Sequence, residues 1–292
     1  MSVRYRVRHT TTYSYDEPVT DSYGSCWLVP RALPWQQVAD YRVEVRPDPV
    51  DVGEDTDHYG NHATYFQVRE PHRELVVEGC GEVVVGVPVV DEEAAATPWE
   101  RLRPLLEPAA DGAWLATDVA LESTLVEHAE AARAYAAPSL GRGRPVGDAV
   151  AELVHRIHAD FEYDRTATTV TSTIGEILEQ RAGVCQDFAH LTLACLRSHG
   201  LAGRYVSGYL ATTPPPGQAR LVGADASHAW VSVWLGGDHW LAVDPTNDTA
   251  VDERYVTVAW GRDYGDVPPV KGVIFTEAKR STLRVSVDVA PV

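Results

Sequence analysis

Apolar and polar residues alternate from Val3 to Arg8 and from Thr10 to Tyr15. They alternate again in Tyr41-Arg-Val-Glu-Val-Arg-Pro, Ala63-Thr-Tyr-Phe-Gln-Val, Glu74-Leu-Val-Val-Glu-Gly and Glu82-Val-Val-Val-Gly-Val. A period of two is that of half-buried strands, and turn residues such as His58-Tyr-Gly-Asn-His separate the runs. Residues 1–95 are therefore expected to form an all-β domain, sandwich-like. Asp91-Glu-Glu-Ala-Ala-Ala shifts the composition and opens a helical connector over residues 96–145. Its Ala- and Glu-rich stretch from Thr117 to Tyr135 predicts a helix, and Pro138 to Pro145 a loop. Val150, Leu153, Val154, Ile157 and Phe161 then recur at helical spacing, predicting a helix from Val146 to Phe161. Residues 146–292 are expected to be a second, α+β domain. Its alternating tail, Thr282 to Val289, is a strand able to join either sheet.

Two helices follow in close order. Thr173 and Glu176 have the spacing of a capping box, which opens a short one, and Gly183 is expected to break it. Phe188, Leu191 and Cys195 mark the buried face of a longer helix that Gly200 stops. Cys185 falls in the first turn of that helix, where free backbone N–H groups and the macrodipole favour an anion. A thiol in such a setting is a candidate nucleophile.

After a strand over Gly203–Ala211 and a proline-rich loop at 213–217, His228-Ala-Trp-Val-Ser-Val-Trp-Leu and His239-Trp-Leu-Ala-Val-Asp244 alternate on either side of Gly236-Gly-Asp. They read as a hairpin. A three-residue loop sets Trp234 opposite Trp240 and Trp230 opposite Asp244. His228 then lies diagonal to Asp244 on one face, with Trp230, Trp234 and Trp240. A two-residue loop would put His228 and Asp244 on opposite faces.

The 292 residues are 45% hydrophobic and 23% charged, as in globular proteins. No apolar run is long enough to span a membrane, and no secretory leader is evident at Met1–Thr10. The net charge of −17 argues against nucleic acid and anionic membranes as partners. The four cysteines form no C-x-x-C pair, and the eleven histidines show no H-E-x-x-H, so neither a metal nor a cofactor is expected. A reducing, cytoplasmic location is the expectation.

A thiol, a histidine and an aspartate so placed make a nucleophile, a base and its orienter. The hairpin brings only His228 and Asp244 together, and spacing alone does not add Cys185. Here a resemblance contributes. Ala182-Gly-Val-Cys185-Gln-Asp-Phe-Ala-His, Ala226-Ser-His228-Ala-Trp-Val and Val243-Asp244-Pro-Thr-Asn247 look like the three core motifs of the transglutaminase-like superfamily. His9 to Pro18, Tyr59-Gly-Asn61, Pro71 to Leu75, Asp252 to Val256 and Gly261 to Asp266 resemble its bacterial branch with an N-terminal β domain. The resemblance implies a papain-like α+β core, with the catalytic helix on an antiparallel sheet and Cys185, His228 and Asp244 as the triad. Superfamily members include transglutaminases, peptidases and amidases, and some lack activity. The calcium sites of animal transglutaminases have no counterpart.

Around the three residues, Tyr163, Gln186, Tyr209 and Trp230 are candidates for the oxyanion site or the cleft walls. Cys195 and His190 read as packing residues, His239 as a surface histidine, Asp187 as a helix cap and Asn247 as a turn residue. The predicted reaction is cysteine-dependent acyl transfer from a peptide or protein amide through a thioester. Hydrolysis by a peptidase or amidase is favoured, because no amine-acceptor site can be identified. A transglutaminase and a non-catalytic protein-binding module are the alternatives.

Overall fold

The computed structural model describes residues 2–212 and 227–292. The loop expected at 213–217 lies outside the described residues. Five strands open the chain: β1 (Ser2–Cys26), β2 (Gln36–Arg46), β3 (Asp51–Thr56), β4 (His62–Val68) and β5 (His72–Gly86). β1 is the spine, with Tyr5, Val7, His9 and Thr11 all buried on one face. β4 lies antiparallel to its second half and β5 to its first. β3 and β2 add outside them.

Helix begins slightly earlier than expected, with α1 (Glu92–Ala95) just ahead of the connector, which holds α2 (Ala113–Thr117) and α3 (Glu130–Ala136), with 3-10 turns at Trp99–Arg101 and Asp118–Ala120. A continuous helix from Thr117 to Tyr135 is not formed. Ser123 and Val126 bond each other's backbone instead, and the Leu125 N–H donates to the Asp263 carboxylate. Tertiary partners thus replace the helical ladder that composition favoured.

The second unit begins with α4 (Val146–Asp160), whose predicted face is buried. The two-residue strand β6 (Glu162–Tyr163), α5 (Ile174–Gln180), β7 (Ala182–Gly183) and α6 (Cys185–Arg197) follow, with β6 and β7 parallel. Next come β8 (Gly203–Leu210), β9 (Ser227–Trp234), β10 (Trp240–Asp244), β11 (Thr249–Ala250) and β12 (Tyr255–Gly261). They form one sheet in the order β11-β10-β9-β8-β12. α6 is buried from Asp187 to Arg197 and packs on β8 and β9, so it is enclosed on all sides rather than amphipathic. Arg197, buried near its end, donates to the carbonyls of Val119, Gly203 and Arg262, which ties helix, connector and sheet together.

The chain then leaves this unit. β13 (Val270–Thr276) and β14 (Ser281–Pro291) pair with β1 along the edge that β4 and β5 leave open. The first sheet therefore has seven strands. This corrects the expectation that residues 146–292 form one unit, because the last strands belong to the sheet that the first residues begin. β1, at 25 residues, is long enough to hold two partners on each side. The result is an α+β fold in which the second unit is inserted between β5 and β13.

A few side chains clamp the two units together. The Gln36 amide accepts the Thr257 N–H (2.8 Å) and donates to the Thr257 carbonyl (2.7 Å) and the Arg31 carbonyl (2.8 Å). A glutamine thereby does for the free edge of β12 what a neighbouring strand would do. Asn61 accepts from the Trp260 N–H and donates to the Trp260 carbonyl, further along the same edge. Gln36→Leu leaves the buried Thr257 N–H without a partner, while the Thr257 carbonyl keeps the Arg31 N–H (3.1 Å), and should lower stability by about 1–3 kcal/mol. Urea unfolding measures this; an unchanged midpoint would show that the clamp contributes nothing.

Candidate active site

The start of α6 is set by what precedes it. Thr173 accepts the Glu176 N–H and Glu176 accepts the Thr173 N–H, so the predicted capping box opens α5. Its end differs from expectation. Arg181, not Gly183, takes the left-handed conformation (φ 54°) that stops the helix. Gly183 has another reason to be glycine. A Cβ there would lie 2.8 Å from Oδ2 of Asp187, which accepts the Val184 N–H (2.7 Å) and the Thr168 hydroxyl (2.6 Å). Asp187 thus caps α6, as its place in the first turn suggested. Burial raises its pKa, and the two hydrogen bonds oppose that rise.

Cys185 is partly exposed, whereas Cys26, Cys80 and Cys195 are buried, and all four are free thiols. Burial pushes Cys26 and Cys195 up to about 12. The first turn of α6 leaves its leading N–H groups without helical partners, because the ladder begins with Phe188 N–H to the Val184 carbonyl.

The hairpin has the register of a three-residue loop. Trp240 pairs with Trp234 and Val243 with Val231, and Gly236 and Gly237 take positive φ in the turn. His228 and Asp244 consequently share a face, and Nε2 of His228 donates to Oδ2 of Asp244 at 2.7 Å. Nδ1 is left for the other neighbour of the ring, Cys185, whose thiol is within hydrogen-bonding reach of the imidazole. Burial opposes a charge on His228. Hydrogen bonds and charge from Asp244 and Cys185 outweigh it, and the pKa is raised to about 10. Asp244 is fully buried, yet its pKa is lowered. Burial would raise it. The donors are His228, the Asn247 amide (2.6 Å), the Tyr255 hydroxyl (2.8 Å) and the Thr246 N–H (2.8 Å), and they hold the carboxylate ionised.

Trp230 lies beneath this pair. Its ring stands 6.2 Å from the His228 ring and packs edge-on to Tyr255 at 5.4 Å. It crosses β8 at Gly208, where an added Cβ would meet the indole at 2.4 Å and the Val256 carbonyl at 2.2 Å. Only glycine lets the indole lie so close to the strand.

The remaining predicted residues divide. Tyr163 is 48% exposed on β6, with its ring 6.5 Å from Phe188. Gln186 is partly exposed and donates to the Val170 carbonyl. Trp230, at 1% exposure, lies beneath the imidazole. Tyr209 is not brought to the site at all. It is 2% exposed and lies against His9 of β1, so it seals the two units. Its period-two neighbours on β8 point toward α6 and the first sheet, away from the His228 face. His190 is buried, accepts the Tyr264 N–H, and is pushed down to about 4 by burial. His239 sits on the surface near Asp91.

Tyr255 and the side chain of Asn247 were not anticipated as partners of Asp244. Asn247 follows Asp244 by three residues, so a carboxylate at the strand end and an amide in the next turn were a usable signal. Tyr255 arrives on another strand, and no local pattern announces it.

A partly exposed thiol at a helix start, facing an imidazole–carboxylate pair on an antiparallel sheet, defines the papain-like α+β class. Within it, the chain belongs to the transglutaminase-like superfamily. The model of that superfamily matches residues 133–245, and the bacterial transglutaminase-like N-terminal region matches residues 5–84. An uncharacterized protein of Mycobacterium tuberculosis is 46% identical over 99% of this chain and 93% of its own length. A protein-glutamine gamma-glutamyltransferase of Pseudomonas aeruginosa is 34% identical over 35% of this chain and 16% of its own length. Among solved structures, a proposed cysteine protease of Cytophaga hutchinsonii superposes with a TM-score of 0.75 at 19% identity, covering 100% of this chain and 93% of that one.

The pH dependence of the His228–Asp244 pair has a definite sign. His228 is raised from 6.5 to about 10, so its contribution to stability is full below about pH 6.5 and is lost as pH rises through 10. Asp244 is lowered from 3.8, so its contribution is present above that value and is lost as pH falls through the lower native one. The stability gap between wild type and Asp244→Asn should be widest between about pH 4 and 6.5 and shrink toward pH 10. Urea midpoints across this range measure it, and a gap that stays constant to pH 10 would mean that native His228 is neutral.

Proposed function

We propose that this protein is a cysteine-dependent acyl-transfer enzyme acting on amide or peptide bonds, with Cys185 as nucleophile, His228 as base and Asp244 as its orienter. The observation that carries the reading is the imidazole held between the Asp244 carboxylate and the Cys185 thiol. The Cys185 sulfur, as thiolate, attacks the amide carbonyl carbon. The carbonyl oxygen takes the negative charge, facing the free N–H groups at the start of α6. The imidazolium of His228 gives its proton to the leaving amine as the C–N bond breaks, and a thioester remains. Neutral His228 then takes a proton from water, the resulting hydroxide attacks, and the C–S bond breaks. An acid leaves, and the thiolate–imidazolium pair is restored.

Hydrolysis is the outcome we favour, so the enzyme is read as a peptidase or amidase. The Pseudomonas aeruginosa relative favours a second reading, in which an amine replaces water in the last step. Both share the acyl-enzyme, and only the acceptor separates them. Incubation of a glutamine-containing peptide library with excess methylamine, followed by mass spectrometry, distinguishes them. A gain of about 1 Da (ammonia of about 17 Da lost, water of about 18 Da gained) or chain cleavage marks hydrolysis, and a gain of about 14 Da (methylamine of about 31 Da for ammonia) marks amine transfer. Cys185→Ala should lower every product by at least about 10³-fold. If Cys185→Ala matches wild type for all products, the proposal fails. Iodoacetamide at about pH 6 should label Cys185 well before the three buried cysteines.

A further inference from the structure

A cavity of about 260 Å³ opens on the same face of the second sheet as His228, beyond Trp230. Its walls are apolar and aromatic, with Trp230, Trp240, Trp260 and Trp35 among them. Set into them is one cation. The guanidinium of Arg204 stacks on Trp240 at 3.5 Å and lies 4.6 Å from the Trp260 centroid. Arg31 also stacks on Trp260, at 3.6 Å, so two guanidinium groups share one indole.

The two arginines differ in their acceptors. Arg31 donates to the Tyr59 carbonyl and to the Asn61 side chain. Arg204 is mostly buried, and makes no hydrogen bond or ion pair among the described residues. Asp238 lines the cavity but is not within ion-pair distance of it. Stacking on two indoles offsets only part of the cost of withdrawing a guanidinium from water. Burial, with Arg31 adding to it, lowers its pKa to about 9, which leaves it cationic at neutral pH. Its five N–H donors are a fixed fork that matches a carboxylate.

We propose that this cavity binds a small ligand made of one carboxylate and an apolar or aromatic body, with the carboxylate on Arg204 and the body against the indoles. One cation without an acceptor among the described residues suits one negative charge. A doubly charged phosphate would leave excess negative charge among apolar walls, in a chain whose net charge is already −17. The carboxylate is that of a free acid or of a peptide C-terminus. The site does not depend on the proposed acyl transfer, and Cys185→Ala protein serves equally well to test it.

Tryptophan fluorescence reads the site directly, because its walls are indoles. Titration with 3-phenylpropionate should give a saturable change in emission. 3-Phenylpropionamide, with the same body and no charge, should bind about tenfold more weakly or worse, as expected from loss of a charge-assisted pair. Arg204→Met should bind acid and amide equally. The wild-type comparison stands even where that variant fails to fold, and a rise in Tm with acid but not with amide is a second readout. A phenylalanine-terminated hexapeptide acid that binds more tightly than phenylpropionate identifies a peptide C-terminus as the ligand, and weaker binding identifies a free acid. Equal binding of acid and amide to wild type, or no saturable change with any of the probes, overturns the proposal.

Discussion

The carboxylate of Asp244 has no contact with water, and a bare ion there would cost several kcal/mol. Four residues donate to it and offset that cost: His228 from β9, Tyr255 from β12, and Thr246 and Asn247 from the turn after β10. Because all four must arrive for the ion to be tolerated, the carboxylate selects one packing of the hairpin, the turn and β12. The imidazole then takes its orientation from the fixed carboxylate rather than from its own strand alone. An imidazole aligned this way needs no adjustment when a proton moves.

One of those donors makes the first sheet relevant to the site. Tyr255 reaches Asp244 only while β12 holds its place, and β12 is an edge strand. Its outer edge is met by Gln36 and Asn61 from the N-terminal unit rather than by another strand. That unit is in turn completed by β13 and β14, which follow β12 in sequence. The chain runs out through one sheet, builds the second and returns to the first, so the first sheet is not finished until both ends are in place.

Features with a local cause were legible in the sequence. The α5 capping box needs only a threonine and a glutamate three residues apart, and α4 only its apolar period. The hairpin register followed from loop length, because a slip of one residue would turn His228 and Asp244 to opposite faces. What was hidden depended on distant partners. Leu121–Ala129 has helical composition, but Asp263, more than a hundred residues later, takes one of its N–H groups. Tyr209 alternates like its neighbours on β8, and nothing in that pattern says that the far face of the strand meets β1. Tyr255 looks like any aromatic at a strand start until the fold sets its hydroxyl on Asp244. The alternating tail suited either sheet, and the length of β1 decided between them.

Trp230 joins the two regions of chemistry on the sheet. One side of its indole supports His228 and Tyr255, and another forms a wall of the cavity that holds Arg204. Its position is tightly fixed, because Gly208 lets it sit against the backbone of β8 with no room for a single added carbon. A ring so confined cannot absorb a displacement by changing rotamer, since packed interiors pass strain on rather than dissipate it. A ligand bound as proposed would therefore press on the same ring that lies beneath the imidazole. The strength of that coupling is bounded by how differently the ligand binds to the two positions of one indole, and not by how tightly it binds overall.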